Sequence, residues 1–492
     1  MTTLPRPADM FDRVREWQAL CKFATDQGAG ATLGVVSGRR RQGKSYLLKA
    51  LCEATGGFYF TAEEAADGES LRQISAALTA YLDLPAPIVY DDWHDVIDTL
   101  LTLGNDRPVP VVIDEFPYLA RAKPSLPSII QNAYGPLRPE KDRSRTRLLL
   151  CGSAMSFMGR LLGGQAPLRG RAGLELIVPT LDHQLAAEFW GVEDPVTALK
   201  VNAIVGGTPA YRREFVRADI PAGPDDFDSW VARTVFSPAS ALFREARYLV
   251  ADEPELRDGA LYHSVLAAIA NGNAHRGGIA SYLGRKSNEL AHPLNLLEDC
   301  GFITREPDAF KDNRTSFRIA EPLVTFYHAV MRPIWSQLEG ALDTSELWRR
   351  SQQRFVGNVL GPHFEHVCRF WTHFFAEDEL FGDHAFGVGS GTVNDPARQT
   401  MHELDVVAFG FDDDSRRPLL AIGECKWGDV MGIGHLERLA RIKALIVAQD
   451  KYYAAESAKL TCFSAAGFTD ELRERAANSP DVVLVGAADL YR

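Results

Sequence analysis

An α/β fold spread over several domains is what this sequence predicts, and three observations predict it. The chain has 492 residues, well beyond the roughly 100–200 of one domain, so about three domains are expected. Its first third alternates short apolar runs with helical patterns, the signature of a parallel sheet with crossover helices. Hydrophobic residues make up 46% and charged residues 24%, an ordinary globular mix that excludes compositional disorder.

The elements follow in order. Residues 32–37 (TLGVVS), 57–61 (GFYFT), 109–114 (VPVVID) and 147–152 (RLLLCG) read as buried strands. After Pro179 the pattern turns helical, with 181–190 and 195–205 leading into Gly206-Gly207-Thr208-Pro209, a small helical lid reaching about residue 245. From Leu256 to Pro333 the order is a helix (262–270), a short helix (277–283) and a third helix (288–300) that Gly301 would cap. Two strands, 302–305 and 316–319, then flank a polar turn, completing a winged helix-turn-helix pattern. From about residue 345 a helix at 355–375, strands at 404–411 and 419–425, a helix at 435–448 and strands at 460–464 and 482–485 build a second α/β domain. Neither an internal repeat nor a low-complexity segment is visible.

Charge and cysteines narrow the function classes. Lys and Arg number 53 against 65 Asp and Glu, a formal charge of −12. That balance argues against a protein that coats nucleic acid non-specifically, though it leaves room for a local basic groove. The seven cysteines are scattered, without a CxxC pair, so neither a zinc knuckle nor a disulfide framework is indicated and a reducing compartment fits. MTTLPRPADMF lacks an apolar stretch after a basic start, and no apolar run has bilayer-spanning length. The expectation is a cytoplasmic protein that does not enter a membrane.

Gly38-Arg39-Arg40-Arg41-Gln42-Gly43-Lys44-Ser45 satisfies G-x-x-x-x-G-K-[ST], directly after a strand and before the helix that Tyr46 opens. Glycines let backbone N–H groups converge on phosphates, Lys44 reaches the β and γ oxygens, and the Ser45 hydroxyl is a magnesium ligand. The helix dipole adds to the same anion site. Downstream, a buried strand ends in Asp114 and Glu115. Asp114 is expected to hold the magnesium shell and Glu115 to polarise the attacking water. Ser153, at the polar end of the next core strand, reads either as a γ-phosphate sensor or as a satisfied turn serine. Arg171, in Leu168-Arg169-Gly170-Arg171, is the candidate cation for transferred charge.

The last domain carries a second constellation. Asp405 and the triplet Glu424-Cys425-Lys426 flank the polar turn from Asp412 to Pro418. If the hairpin is symmetric about residues 414 and 415, Asp405 faces Glu424 at about 5 Å and Lys426 shares their face. Facing carboxylates call for a cation between them, and a lysine beside them can orient a metal-bound water, which is a divalent-metal hydrolysis pattern. Glu365, on the preceding helix, is the third candidate carboxylate.

Together these pieces resemble the archaeal-type P-loop ATPases, relatives of the AAA and STAND ATPases. The resemblance is carried by Phe11-Asp12-Arg13 with Arg15-Glu16, GRRRQGKS, VVIDE, LLLCGS, PLRGR and GGTPAY, in the family's order across about residues 9–215. Ser153 stands where many relatives carry an asparagine sensor. The remainder resembles the winged helix and C-terminal domain often attached to such ATPases, the latter related to PD-(D/E)xK nucleases. Glu365, Asp405, Glu424 and Lys426 occupy that motif's positions.

The resemblance implies 1–180 as ATPase core, 181–250 as lid, 251–340 as winged helix and 345–492 as a nuclease-like α/β domain of the restriction-endonuclease class. In the winged helix Arg285, Lys286, Lys311, Arg314 and Arg318 are candidate phosphate contacts, diluted by Glu289, Glu298 and Asp299. DNA contact and protein–protein linking stay equally open.

The expected function is ATP binding and hydrolysis controlling a metal-dependent nuclease-like domain. The alternative is a nucleotide-switched regulatory protein that does not cut. Expected cofactors are ATP and Mg2+, with Mn2+ at the C-terminal site. DNA, RNA and a second copy of the chain remain open as partners.

Overall fold

The structure, a computed structural model, describes residues 4–164, 166–253, 255–256, 259–411, 416–449 and 452–492. It divides into two compact units: Met1–Thr180 with Glu253–Glu255 and Asp299–Gly301, and Leu181–Asp252 with Leu256–Glu298 and Phe302–Arg492.

The first unit is built on strands β1 (Thr32–Ser37), β2 (Phe58–Thr61), β3 (Val109–Asp114), β4 (Thr146–Gly152) and β5 (Ala172–Ile177). Their order is β2-β3-β4-β1-β5, and every neighbouring pair is parallel. The period of two divides the strand side chains between two cores. Leu33, Val35, Val111, Ile113, Leu148 and Leu150 join one apolar cluster with Trp93, Ile97 and Leu100. Val36, Val112, Leu149 and Cys151 join another with Trp17, Leu20, Leu48 and Leu51. Helices thus cover both faces, as a parallel sheet requires. The sequence reading misses β5, because AGLELI alternates half-buried and exposed positions and has no continuous apolar run.

In the second unit the His183–Trp190 and Pro195–Val205 helices lead into an aromatic core of Trp190, Phe227, Trp230, Phe236, Phe326, Trp348 and Phe355. Helices Gly259–Ala270, Arg276–Leu283 and Ala291–Asp299 follow, the last preceded by a 3-10 turn at Ser287–Leu290. Gly301 has φ 74°, and the Phe302 amide donates back to the Leu297 carbonyl at 2.9 Å, the expected C-cap geometry. Strands β6 (Ile303–Asp308) and β7 (Lys311–Ile319) then pair antiparallel.

The helix expected at 355–375 starts earlier. Ser345–Phe355 runs through a π-helical turn, Val356–Leu360, into Gly361–Phe374. Its first stretch is polar and buries only Trp348, Ser351 and Phe355, which hides the periodicity. The π turn ends two residues before Pro362, whose ring cannot be accommodated in an unbroken α ladder.

Strands β8 (Gly387–Asp395), β9 (Thr400–Phe409), β10 (Arg417–Lys426), β11 (Tyr453–Ala454), β12 (Lys459–Ser464) and β13 (Val482–Gly486) complete the chain. They stand in the order β13-β12-β10-β9-β8, with β11 beside β10. β8, absent from the sequence reading, holds three glycines and no apolar residue larger than valine. Gly361–Phe374 packs on one face, through Phe364, Val367, Cys368 and Trp371. Ile433–Gln449 packs on the other, through Leu436, Leu439, Ile442 and Ile446.

The β6–β7 hairpin docks on this sheet. The Ala309 amide donates to the Ser390 carbonyl at 2.8 Å, and the Thr392 hydroxyl donates to Asp308 at 2.6 Å. Phe310 meets Phe409 and Tyr453 with centroids 5.9 and 5.4 Å apart. Its ring lies so close to Gly391 that a Cβ there would stand 2.6 Å from it, so position 391 must lack a side chain.

Candidate functional site

In the first unit the carboxyl ends of three adjacent strands, β1, β4 and β3, bring the predicted residues to one edge. This is where ligands sit in open parallel sheets. After β1 the chain turns sharply. Gly38 has φ 150°, and a Cβ on it would lie 2.5 Å from the Val178 carbonyl oxygen, so only glycine makes that turn. Arg41 is left-handed at φ 68°. A Cβ at Gly43 would meet nothing within 4 Å, so the loop bounds open space, as a phosphate cradle must.

Lys44 is buried and turned into the loop, where its ammonium donates to the carbonyls of Gly38 at 2.7 Å and Arg39 at 2.8 Å. Burial lowers its pKa from the ordinary value, opposed by the charges of Glu115 and Asp114. Arg39 donates to the Gly301 carbonyl at 3.4 Å and Arg40 to the Tyr118 hydroxyl at 3.4 Å. Tyr46 donates to Asp9 at 2.7 Å, tying the helix start to the N-terminal segment.

Asp114 is buried at the end of β3. It accepts from the Tyr59 hydroxyl at 2.7 Å and from the Glu115 amide at 2.9 Å. Burial, then the Asp114 charge, pushes the Tyr59 phenol up, and Ser45 is among that hydroxyl's hydrogen-bonding neighbours. Ser45, Tyr59 and Asp114 therefore form one polar group. Glu115 is left-handed at φ 51°, and its two oxygens lie 3.2 and 3.3 Å from the Ser153 hydroxyl, which donates to them. Arg171 donates to the Tyr134 carbonyl at 3.5 Å, which anchors it beyond the Leu126–Ala133 helix.

Sequence reasoning assigned no task to Tyr59 or Arg13. Arg13, also buried, donates to the Gln42 carbonyl and to Glu16, both at 3.2 Å, and so braces the loop from behind. Tyr59 was legible only through the period of two on β2, and Arg13 only through the motif shared with the resembling family.

In the second unit, β9 and β10 pair antiparallel with Gly423 opposite Val406, and one further step along that ladder sets Glu424 opposite Asp405. The turn residues Asp412, Asp413, Asp414 and Ser415 lie outside the described residues. On its other side β9 carries a bulge. Gly389 pairs with Val407 and Gly391 with Leu404, so Asp405 and Val406 together oppose Ser390. Such a bulge re-aims a side chain. Asp405 accepts from the Cys425 amide at 2.8 Å.

Glu424 is buried and lies 3.0 Å from the Lys426 ammonium and 2.9 Å from the Arg438 guanidinium. Burial alone would raise its pKa, but these two cations hold it below the ordinary value. Lys426 shares the Glu424 face, as expected. Among the described residues the oxygens of Glu365, Asp405 and Glu424 do not all come within 4.8 Å of one another.

Glu365 is raised to about 7, first by burial and then by the Asp405 charge, and Asp405 is itself raised by burial. Arg369 holds this region together. It donates to the Asp405 carbonyl at 2.9 Å and lies 3.9 Å from Glu365 and 3.6 Å from Glu306 of β6. A buried carboxyl raised by a neighbouring carboxylate suits a cation's charge, so Glu365 and Asp405 fit a divalent ion better than Glu424, already paired with Lys426 and Arg438, does.

The expected phosphate contacts on the hairpin turn inward. Lys311 donates to Asn394 at 3.0 Å and Arg318 to Glu306 at 2.7 Å. Arg314 lies 3.9 Å from both Asp308 and Glu403. The partners are Glu306 and Asp308 of β6 itself, Asn394 of β8 and Glu403 of β9, the last two brought within reach by the docking of the hairpin. Arg285 pairs with Glu289 at 3.6 Å. Lys286 immediately precedes the Ser287–Leu290 turn.

No helix of the described residues is long and apolar enough to cross a membrane. No family model matches the chain. It is 26% identical to an uncharacterised protein of Methanocaldococcus jannaschii over 340 residues, 68% of this chain and 71% of that protein. A Walker-type ATPase of Pyrococcus abyssi is similar in structure, with 21% identity, TM-score 0.49, and 67% of this chain and 98% of that one covered. The ORC2 protein of Aeropyrum pernix is similar at 15% identity and TM-score 0.42, covering 72% of this chain and 96% of its own.

Proposed function

We propose that the first unit binds ATP with magnesium and hydrolyses it. One observation carries this: Lys44, Ser45, Asp114, Glu115 and Ser153 share one strand edge around a loop whose lysine already points inward. With ATP bound, Lys44 exchanges the Gly38 and Arg39 carbonyls for β and γ phosphate oxygens. Ser45 and Asp114 would hold magnesium, which supplies positive charge against those oxygens. Glu115, steadied by Ser153, orients a water and takes its proton. That water's oxygen bonds to the γ-phosphorus, the bond to the β–γ bridging oxygen breaks, and ADP and phosphate remain. Arg171 is assigned to transferred charge only if its Tyr134 contact is released.

In the second unit we infer a metal-dependent nuclease-like site at Glu365 and Asp405, with Glu424 and Lys426 behind them, whose use depends on the nucleotide state. The three-helix and hairpin segment reads as a winged helix. A second reading, a nucleotide-switched regulatory protein that does not cut, is favoured by the pairing of Glu424 with Lys426 and Arg438.

Calorimetry tests the first half: Lys44→Ala should lose ATP binding, and unchanged affinity would sink the assignment. Cleavage of DNA and RNA with Mg2+ or Mn2+, with and without ATP, tests the second. EDTA or Glu424→Ala should abolish any cutting.

A further inference from the structure

Within the second unit a cleft of about 400 Å³ is lined by Glu365 and Asp405 and by Glu306, Asp308, Arg314 and Arg318 of the β6–β7 hairpin. The carboxylate site therefore opens into a space that the hairpin helps to wall. This wall is fixed, since a backbone hydrogen bond, the Asp308–Thr392 pair and the Phe310 ring over Gly391 seat it on β8. Its acids are largely answered, Glu306 by Arg318 at 2.7 Å and Arg369 at 3.6 Å. Arg314, which lies 3.9 Å from Asp308 and Glu403 where Arg318 is paired at 2.7 Å, is the cation of this wall best set to meet a backbone phosphate.

We propose that this cleft admits one unpaired nucleic-acid strand and excludes the duplex, with the hairpin setting the width. The proposal rests on the nucleic-acid reading of the carboxylate site. A volume near 400 Å³ falls within the roughly 300–1,000 Å³ of sites that enclose a small molecule, and so accommodates about one nucleotide at a time. A duplex, whose grooves alone are about 12 and 6 Å wide, is too bulky for a cleft of about 400 Å³. The hairpin that would be a groove-reading wing in a free winged helix becomes a gauge for strand number. That also explains why its bases face inward.

Binding of fluorescent single-stranded DNA, single-stranded RNA and blunt duplex to the full chain, with Ca2+ to prevent cutting, tests this by anisotropy. Single strands of one or both sugars should bind about tenfold tighter than duplex. Arg314→Glu should weaken that binding about tenfold while leaving ATP turnover unchanged. Phe310→Ala, which loosens the wall, should reduce the preference, and circular dichroism shows whether it folds. Duplex binding as tight as single strand, or single-strand binding indifferent to Arg314→Glu, would overturn the inference. A parallel Mn2+ cleavage assay separates the two ideas. Strand-selective binding without any cutting sinks the nuclease reading alone, whereas duplex cut as fast as single strand sinks the strand gauge alone.

Discussion

Single residues in this protein take their roles from the groups that answer their charge. Ser153 has one hydroxyl proton and stands nearly equidistant from both Glu115 oxygens, so it orients the carboxylate rather than pairing with one end. Glu115→Gln should keep ATP binding and lower turnover by about 10²–10⁴, the usual worth of a positioned base. Ser153→Ala should cost about tenfold with affinity kept, because only orientation is lost. Steady-state hydrolysis beside calorimetry separates the two.

Glu365 gives a pH prediction for the metal-free protein. Its folded pKa of about 7 exceeds the ordinary 4.5. Below 4.5 both states hold the proton, and Glu365→Gln should change nothing. As pH rises through 7 the folded protein must carry a costly charge, so the stability lent by the proton is lost. In EDTA, Glu365→Gln should therefore raise the melting temperature at pH 8 but not at pH 4. An equal gain at both would refute the shift.

At the scale of elements, two local irregularities matter most. The bulge at Asp405 and Val406 breaks the alternation of β9, and it aims Asp405 at the Cys425 amide instead of leaving it over Glu424. The glycine at 391 lets the β6–β7 hairpin close on β8. Gly391→Leu should therefore push Phe310 off Phe409 and Tyr453, at an overpacking cost of about 1–3 kcal/mol, read by urea denaturation. The strand edge proposed to bind ATP shares no residue with that contact, so ATP affinity should stay as it is. The expected 355–375 helix shows the opposite case, where a polar first stretch concealed ten more helical residues, 345–354, from a periodicity search.

For the whole molecule, the two candidate chemistries stand on different units and different carboxylates. Glu424→Ala should remove two ion pairs around β10 yet leave ATP turnover as it was. Loss of ATPase activity in that variant would show that the units depend on one another more closely than their separate sites imply. If ATP alters nucleic-acid cleavage in the wild type, that coupling should vanish in Lys44→Ala.

Contiguous features were legible in the chain itself. The loop from Gly38 to Ser45, the strand ending in Asp114 and Glu115, and the order of helices and strands rest on neighbours a few residues apart, where backbone geometry imposes a period. Even the register that sets Asp405 opposite Glu424 is expected from the spacing of the two strands, although the ladder shifts between Leu419 and Ala421 nearer the turn. Tertiary structure decided the rest. Arg438 on Glu424, Arg369 on Glu365 and Asp405, Tyr59 on Asp114 and the hairpin on β8 join residues 14 to 84 positions apart or, like Glu365 and Arg369, one helical turn apart on a face only the fold defines. No periodicity encodes such meetings, because a salt bridge or a ring over a glycine needs only proximity, and proximity across a sheet is set by packing.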